Sequence, residues 1–590
     1  MKRKIFIQTI IMIFVFSLKT NAQLTTGEKP ISFDLKNKIN IENINIEELS
    51  AMKLVTPDLQ KVAEEDKLME EIHGISNRFA YPVRINFNIN NSGHWKTLDD
   101  GSKLWTLDLV LPEALSTNVI YDKFWLPKGA KFFVYNKNTQ SYIGAVTSEF
   151  IKGTYENPES YSTGLLLGEN VTFEYYQPAT VKETPIIEIG RIDYGYRFIN
   201  YIVDAVKPSK KGNSFQENLG FGSAANCHVN INCSPEGDYW QKEKNAVARI
   251  MLVYSGGSTW CSGALMNNTR EDFTPYFLTA FHCLKNEFDA RSIKNKSNYL
   301  QHCIFYWHYE HPSCNNNGYE PRIYSTRGAR VIANSDSTGI GEGDNYRYSS
   351  DFALFKLEED PRDINGANPY YLGWSMSSDA GTNDGVGIHH PRGDVKKIST
   401  YGAKPVTAYP TGVPSSHPRY NMRASLWEIR WIQTSNNHGI DEGGSSGSPL
   451  INKNGHVIGQ LLGSPDSAYC ENPSKRAWYG KLNVSWNNPN GLNGAVSDSA
   501  RRLNVWLDPI NRGVTTLNGK EYRNCALLPT SFRDIIISTS TKVEGNNLYM
   551  KNVKVNQGNK LTVNSCNEVI IDVDFEISTG AEFEINIIHK

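Results

Sequence analysis

No cysteine occurs in the first 226 residues of this 590-residue chain, and all nine fall between positions 227 and 566. Segments that differ so sharply in cross-linking capacity are expected to fold as separate units. The change follows a linker, Lys207-Pro208-Ser209-Lys210-Lys211-Gly212-Asn213-Ser214, which reads as a domain boundary and a processing region. Such a length exceeds a single hydrophobic core and suggests roughly three to five units. The start is Met1-Lys2-Arg3-Lys4, then an apolar run from Ile5 to Leu18, then small residues at Thr20-Asn21-Ala22. This is the pattern of a secretory signal peptide cut after Ala22; Lys19 interrupts the run too early for a membrane anchor. The remaining chain is therefore expected outside the cell or at its surface, where disulfides persist. Its 61 basic and 62 acidic side chains argue against a nucleic-acid or polybasic membrane partner.

Strand patterns dominate. A helix is expected after Thr56-Pro57, with Leu59, Val62, Met69 and Ile72 on one face. Beyond it, Val83, Ile85, Phe87 and Ile89 alternate with polar residues, as do Leu107, Leu109 and Leu111. Gly93-His94-Trp95 and Pro127-Lys128-Gly129 read as turns, with Phe132, Val134 and Tyr135 in a strand between them and Gly195-Tyr196-Arg197 near the end of the region. Much later, Ala500, Leu503, Trp506 and Leu507 share a helical face that Pro509 ends. Past a second boundary near 523, Ile571, Val573, Phe575 and Ile577 alternate strictly, and Gly558 and Gly580 punctuate short strands. Residues 523–590 are expected to form a small all-β module.

Three local settings carry chemistry. Phe277-Leu278-Thr279-Ala280-Phe281-His282-Cys283 ends an apolar strand on a histidine, and Cys261 in Trp260-Cys261-Ser262-Gly263-Ala264-Leu265 is placed to staple a neighbouring strand beside it. Ser349-Ser350-Asp351-Phe352-Ala353-Leu354-Phe355-Lys356-Leu357 puts an aspartate at the mouth of an alternating strand. Gly444-Ser445-Ser446-Gly447-Ser448-Pro449 allows a tight turn that lifts one serine oxygen clear and turns the amides of Gly444 and Ser446 toward one point. Peptide hydrolysis by serine needs these parts: a hydroxyl, a base to take its proton, a carboxylate to hold the base in one tautomer, and donors for the oxyanion.

In the order His, Asp, Ser, these segments resemble the trypsin-like (chymotrypsin-fold) serine endopeptidases, and more closely the secreted bacterial lysyl endopeptidases. Ile388-His389-His390-Pro391, Trp478-Tyr479-Gly480-Lys481 with Ser485-Trp486, and Arg502-Leu503 through Trp506-Leu507-Asp508-Pro509 share that likeness, which spans 222–522. It implies a mainly β fold: two six-stranded antiparallel barrels with a C-terminal helix, preceded by a β-rich propeptide at 23–221. It implies Ser446 as nucleophile, His282 as general base and then acid, Asp351 as the orienting carboxylate, Gly444 and Ser446 amides as the oxyanion hole, and no cofactor or metal. It also pairs Cys261 with Cys283, Cys227 with Cys470 and Cys233 with Cys314. Cys525 and Cys566 then make a fourth bridge, tying the tail to the catalytic unit and leaving Cys303. The partners implied are peptide or protein substrates and the propeptide itself, as inhibitor or folding aid, on a monomer. The tail resembles the coathanger-stack repeats of exported proteins of gliding bacteria.

The chain departs from the family pattern twice. Where trypsin-like enzymes commonly carry an aspartate before the nucleophile, to pair with a new N-terminus, Ser445 stands. The usual amine–carboxylate switch is then missing, and the propeptide is expected to cover the cleft or assist folding. The Asp-x-Tyr-Gly carboxylate that neutralises a substrate lysine aligns with Ala477. Asp441, five residues before Ser446, is the alternative anchor for a Lys or Arg side chain; an apolar pocket is the competing reading. Lys211-Gly212 suits self-processing by a basic-specific enzyme, and Phe221-Gly222 by an apolar one. Cys303, His308, His311 and Cys314 have zinc-like spacing, but in an exported chain disulfides outweigh zinc. Arg392-Gly393-Asp394 reads as a turn after His390-Pro391 rather than an adhesion motif, and His389 and His390 as structural. A catalytically silent adhesion protein is the rival class, disfavoured by a complete triad.

Overall fold

A computed structural model describes residues 27–33, 51–73, 78–197, 222–284, 299–315, 324–335, 350–364, 366–408, 424–466, 470–487, 498–525 and 528–587. The signal segment, the 207–214 linker and the side chains of Met69 and Ile72 lie outside that set. The chain is mainly β. It divides into two compact units, Met1–Lys520 and Glu521–Lys590. No helix among the described residues is long and apolar enough to cross a membrane.

Within the first unit, the leading region forms two sheets. Lys103–Val110 lies between Met52–Lys53 and Asn170–Gln177, which leads on to Lys131–Tyr135 and Tyr142–Val146. Arg78–Asn88, Ile186–Gly195, Ser116–Trp125 and Glu159–Leu167 form the second, antiparallel sheet. Trp105, Tyr121, Phe124, Phe132, Tyr161 and Phe173 fill the core of this region, which accounts for the alternation at Leu107, Leu109 and Leu111. The helix runs Leu59–His73, and the Asp58 carboxylate, not Thr56, accepts from the Lys61 amide in its first turn.

The sequence does not announce where this second sheet goes. Arg78 and Ala80 pair with Thr259 and Ser258, so it continues into the cysteine-bearing region. The join is sealed by polar and aromatic contacts. Arg191 and Asp193 form a buried ion pair (2.5 Å); the Ser258 hydroxyl donates to Asp193 (2.6 Å) and Arg191 to Gly257 O (3.1 Å). Phe79 stacks on Trp260 with ring centroids 4.4 Å apart.

The region from 222 on has two β halves. In the first, Tyr324–Arg327, Ile304–Trp307, Val247–Tyr254, Gly257–Met266, Tyr276–Ala280, Phe352–Leu357 and Ala329–Asn334 follow one another antiparallel, seven strands where six were expected. The second half follows the order Val229–Asn230, Lys397–Tyr401, Gly385–His389, Pro449–Asn452, His456–Gly463, Arg476–Lys481, Leu426–Arg430, Val406–Ala408. Gly373–Ser375 joins its side and runs parallel to His456–Gly463, a departure from the all-antiparallel expectation. The expected C-terminal helix is broken: a 3-10 turn, Ser499–Arg501, is followed by extended Arg502 and a short helix, Asn504–Leu507. Leu503 and Leu507 are nevertheless fully buried, while Ala500 and Trp506 are half-buried, so two of the four residues expected on that face reach the core.

The second unit is all β and parallel. Ser531–Ile537, Leu548–Val555 and the pair Val569–Ile571 and Phe575–Ile577 form one sheet; Thr541–Gly545, Lys560–Ser565 and Glu582–Ile587 form the other. Met550, Val553, Val555, Leu561 and Val563 are fully buried. The single strand expected over 571–577 is split at Asp572–Asp574, where Asp574 takes a positive φ and Val573 points to solvent. Cys525–Cys566 is a disulfide, but both cysteines belong to this unit, so the bridge closes the module upon itself.

Candidate functional site

The histidine and aspartate are brought together by strand pairing. Tyr276–Ala280 and Phe352–Leu357 are antiparallel neighbours with Ala280 opposite Phe352, so the residues just beyond each end meet. His282 lies in a 3-10 turn, Phe281–Leu284, and Asp351 is fully buried at φ +51°. Both oxygens of the carboxylate are engaged by the histidine: its Nδ1 lies 2.7 Å from Oδ2 and its backbone N–H donates to Oδ1 at 2.9 Å. The Phe281 amide donates to Asp351 O at 2.8 Å. A proton held at Nδ1 by this carboxylate leaves Nε2 as the basic nitrogen. The disulfide Cys261–Cys283 anchors the turn to the neighbouring strand.

The second half supplies the serine turn. Gly444 (φ +95°) and Gly447 (φ +81°) take the backbone conformation that other residues resist. They are also places of close approach: a Cβ on Gly444 would stand 2.9 Å from His390 O, and one on Gly447 2.1 Å from the Thr279 hydroxyl and 2.6 Å from the Ala280 amide. The serine turn therefore sits directly against the strand Tyr276–Ala280 that leads into the His282 turn. Ser446 O accepts from the Ser262 amide (2.8 Å), and Cys283 Sγ lies 3.9 Å from the same oxygen.

Among the three serines of this turn, only Ser446 reaches solvent; Ser445 and Ser448 are fully buried. The amides of Ser445, Gly447 and Ser448 donate inward, to Glu442 O, Leu461 O and Ser445 O. Those of Gly444 and Ser446 take no acceptor among the described residues. Two unspent donors beside a half-exposed hydroxyl are the arrangement that binding a developing oxyanion requires. The halves are also bonded at the aspartate, where Gln460 Nε2 donates to Ser350 O (2.5 Å).

Ser445 fills the position of the missing aspartate with a neutral pair. Its hydroxyl lies 2.7 Å from His389 Nδ1 and accepts from the Glu442 amide, while His389 Nε2 meets the Ser399 hydroxyl at 3.0 Å. Burial, with His228 and Lys397 nearby, holds His389 well below the usual histidine range. Glu442 is not solvent-exposed; it binds His228 Nε2 (3.0 Å), Arg392 (2.6 Å) and the Ala225 amide (3.1 Å). Burial pulls its carboxyl up, yet these partners, His228 foremost, hold it below the usual range.

Asp441 is a correction to the sequence reading. The carboxylate is buried and already matched: Lys475 Nζ lies 3.7 Å from Oδ1 and donates to the Asp441 carbonyl at 3.0 Å, and the Trp431 indole N–H reaches Oδ1 at 3.3 Å. Burial pushes its carboxyl up, with Lys475 pulling back. A substrate cation would have to displace an internal one. Ala477 is buried beside Trp431, Ile429 and Tyr479.

The other candidates are spoken for. Cys314 is bridged to Cys233 and Cys227 to Cys470; His308 binds Ala367 O, and His311 Nδ1 meets Ser313. Cys303 stands outside the disulfides, buried, with the Val253 amide 3.3 Å from its sulfur. Arg392-Gly393-Asp394 is a tightly packed turn, with Asp394 fully buried and Arg249 donating to Gly393 O (2.7 Å). Asp394, Arg392 and Lys475 are the residues that sequence reasoning missed. Each acts through a partner dozens of positions or more away, and Arg392 and Asp394 stand in the sequence only as parts of a turn.

Comparison with known proteins places this region. Residues 221–480 match the family described as lysyl endopeptidase, C-terminal domain. A lysyl endopeptidase of Pseudomonas aeruginosa is 26% identical over 324 residues, covering 54% of this chain and 59% of its own length. Solved structures with similarity include a thermostable serine protease, AL20, from an extremophilic microorganism (13% identity, 41% of this chain and 92% of that one, TM-score 0.26). Another is the serine endoprotease from Yersinia pestis (15%, 42% and 64%, TM-score 0.23). Residues 221–480 are thus similar in sequence to the lysyl endopeptidases, and their two β halves agree with a chymotrypsin-like serine endopeptidase fold.

Proposed function

We propose that the chain is an exported zymogen whose 222–522 domain cleaves peptide bonds through an acyl-enzyme on Ser446. His282 takes the serine proton and returns it to the leaving amine; Asp351 holds the imidazole; the Gly444 and Ser446 amides receive the oxyanion. The observation that carries this reading is the two-point grip of Asp351 on His282, facing a turn in which only Ser446 is presented to solvent. A fluorophosphonate probe tests it: label on Ser446, lost in Ser446→Ala, is expected. Label on Ser445, or none on a chain that cleaves casein, would overturn it.

A second reading concerns the bond cut. With Asp441 matched by Lys475 and Ala477 in the place of the lysine-binding carboxylate, an apolar primary pocket is favoured over one for Lys or Arg. Peptide-library profiling is expected to return cleavage after aromatic or aliphatic residues, unchanged in Asp441→Asn. A Lys or Arg preference lost in that variant would restore Asp441 as the anchor.

A further inference from the structure

Ser445 removes the carboxylate that would meet a new N-terminus beside the nucleophile, yet another carboxylate waits nearby. After the junction at 221, the Gly222 nitrogen lies 2.8 Å from Asp394 Oδ1. The amides of Ala224 (3.0 Å to Oδ2) and Val395 (2.7 Å to Oδ1) complete a three-donor cradle around a fully buried side chain. We propose that Asp394 is the seat for the α-ammonium of Gly222, released by hydrolysis of the Phe221–Gly222 bond, and that this ion pair holds the oxyanion turn in its working form. In that hydrolysis water supplies the second oxygen of the new Phe221 carboxylate and both of its protons pass to the departing nitrogen, which becomes the Gly222 ammonium.

Three observations carry it. First, the seat is already occupied by the right atom, so conversion of an amide into an ammonium strengthens an existing bond and needs no long insertion. A charge-assisted bond is about twice as strong as its neutral counterpart. Second, Asp394 has one cation on Oδ2, and Oδ1 is left to amide donors. Lys397 Nζ forms the longer ion pair, 3.6 Å from Oδ2, and shares its ammonium with Asn230 Oδ1 (2.6 Å); burial lowers its affinity for a proton and Asp394 raises it, while Oδ1 faces the Gly222 nitrogen at 2.8 Å. Arg392 is taken by Glu442, Lys396 by Glu310, and His228, buried against Glu442, is held below its usual range. Third, the seat is wired to the turn. Asp394 N donates to Pro391 O (2.9 Å) and Arg392 N to Gly443 O (2.6 Å). The Ser262 hydroxyl, which accepts from His390 N (2.9 Å), donates to Gly444 O (2.8 Å). Ala225 N reaches Glu442, so residues 222–225 grip both ends of the loop pair that frames Gly444. Asp394 is thus a positioning residue.

The proposal rests on the endopeptidase reading only for its activity readout, and the test separates the two. In the full chain, residues 217–221 are replaced by an enteropeptidase recognition sequence so that cutting exposes Gly222; a second variant carries one alanine inserted before Gly222. The α-amine is titrated by competitive acetylation and mass spectrometry. An ordinary α-amino group titrates near 7.7–8.0; beside Asp394 it is expected at least about one unit higher, returning to the ordinary value in Asp394→Asn. The ion pair is complete below the ordinary value and lost as pH rises through the raised one. Fluorophosphonate labelling of the Gly222-started protein is expected to run about tenfold faster or more than that of the alanine-extended one, and to fall over the same alkaline range. An amine that titrates normally, an extended variant labelled at the same rate, or a natural mature N-terminus other than Gly222 would overturn the proposal. Should Asp394→Asn not fold, the alanine extension, which changes no buried side chain, still decides. If no form is labelled, the endopeptidase reading fails while the amine titration still judges the seat.

Discussion

The two halves of the region from 222 on are stabilised differently around the candidate site. The half that holds His282 and Asp351 is apolar and ladder-built: Phe277, Phe305, Trp307 and Phe355 are buried with edge-on rings, and a disulfide fixes the histidine turn. The half that holds Ser446 sets buried charge directly beside its turn, whereas the buried ions of the first half, such as Arg327 with Glu159 and Glu359, are partners of neither His282 nor Asp351. Asp441 with Lys475, Glu442 with Arg392 and His228, and Asp394 with the 222–224 amides lie under the turn. A general base needs a fixed position, which packing and a disulfide supply. An oxyanion turn must present free amides while its remaining polar groups are satisfied, and buried ions with their directional bonds can do that where apolar packing cannot.

Four measurements press on this contrast. The largest effect belongs to Ser446→Ala, expected to lower hydrolysis by about 10⁴-fold or more with little change in thermal unfolding; Ser445→Ala should instead keep the nucleophile and lose stability, by roughly 1–3 kcal/mol, through the orphaned His389 nitrogen. Next, Lys475→Ala is expected to cost about 3–5 kcal/mol in unfolding free energy by stranding Asp441. That loss should shrink as pH is lowered and the stranded carboxyl is protonated. Phe277→Ala in the other half should cost a similar ~3–5 kcal/mol with no such pH dependence; equal pH behaviour would dissolve the contrast. Third, Cys525→Ser should destabilise only the module, by about 2–4 kcal/mol, leaving peptide hydrolysis unchanged.

The fourth concerns His302, which sits where the leading region meets the first half, beside the Ser160 hydroxyl and beneath Ser162, which donates to its carbonyl. Burial, with Arg327 and Arg191 close by, lowers its affinity for a proton to a pKa of about 3. Neutral in both states above 6.5, it penalises the folded form as pH falls from 6.5 toward 3, at about 1.4 kcal/mol per pH unit. Melting temperature should fall across that window, less so in His302→Gln; identical acid profiles would remove His302 from the account.

What the sequence revealed was local. The turn around Ser446 is written in adjacent glycines, His282 and Asp351 in strand ends, and Leu503 and Leu507 in spacing. What it hid was pairing at distance. Nothing near Asp441 names Lys475, and nothing near Gly222 names Asp394, because a buried ion's partner is chosen by the fold and not by spacing. The module misled in another way: alternation marks a strand's two faces but not its direction, so 571–577 gave no sign of a parallel arrangement or of the break at Asp572–Asp574.

The continuation of the leading sheet into Gly257–Met266 has a consequence for the protein after processing. Removing the leading region would uncover a raw strand margin on the mature enzyme, the kind of surface that recruits other chains into intermolecular sheets. Here the uncovered ladder is two residue pairs long, Ala80 with Ser258 and Arg78 with Thr259, and its register slips between them. Most of the grip is made by side chains such as Phe79 on Trp260 and Arg78 on Gly256 O (2.9 Å). If the leading region departs as proposed, what it uncovers is therefore mainly a side-chain face, Met251, Trp260 and Tyr306 of a cluster shared with Phe79, Ile120 and Leu167, rather than a long strand edge.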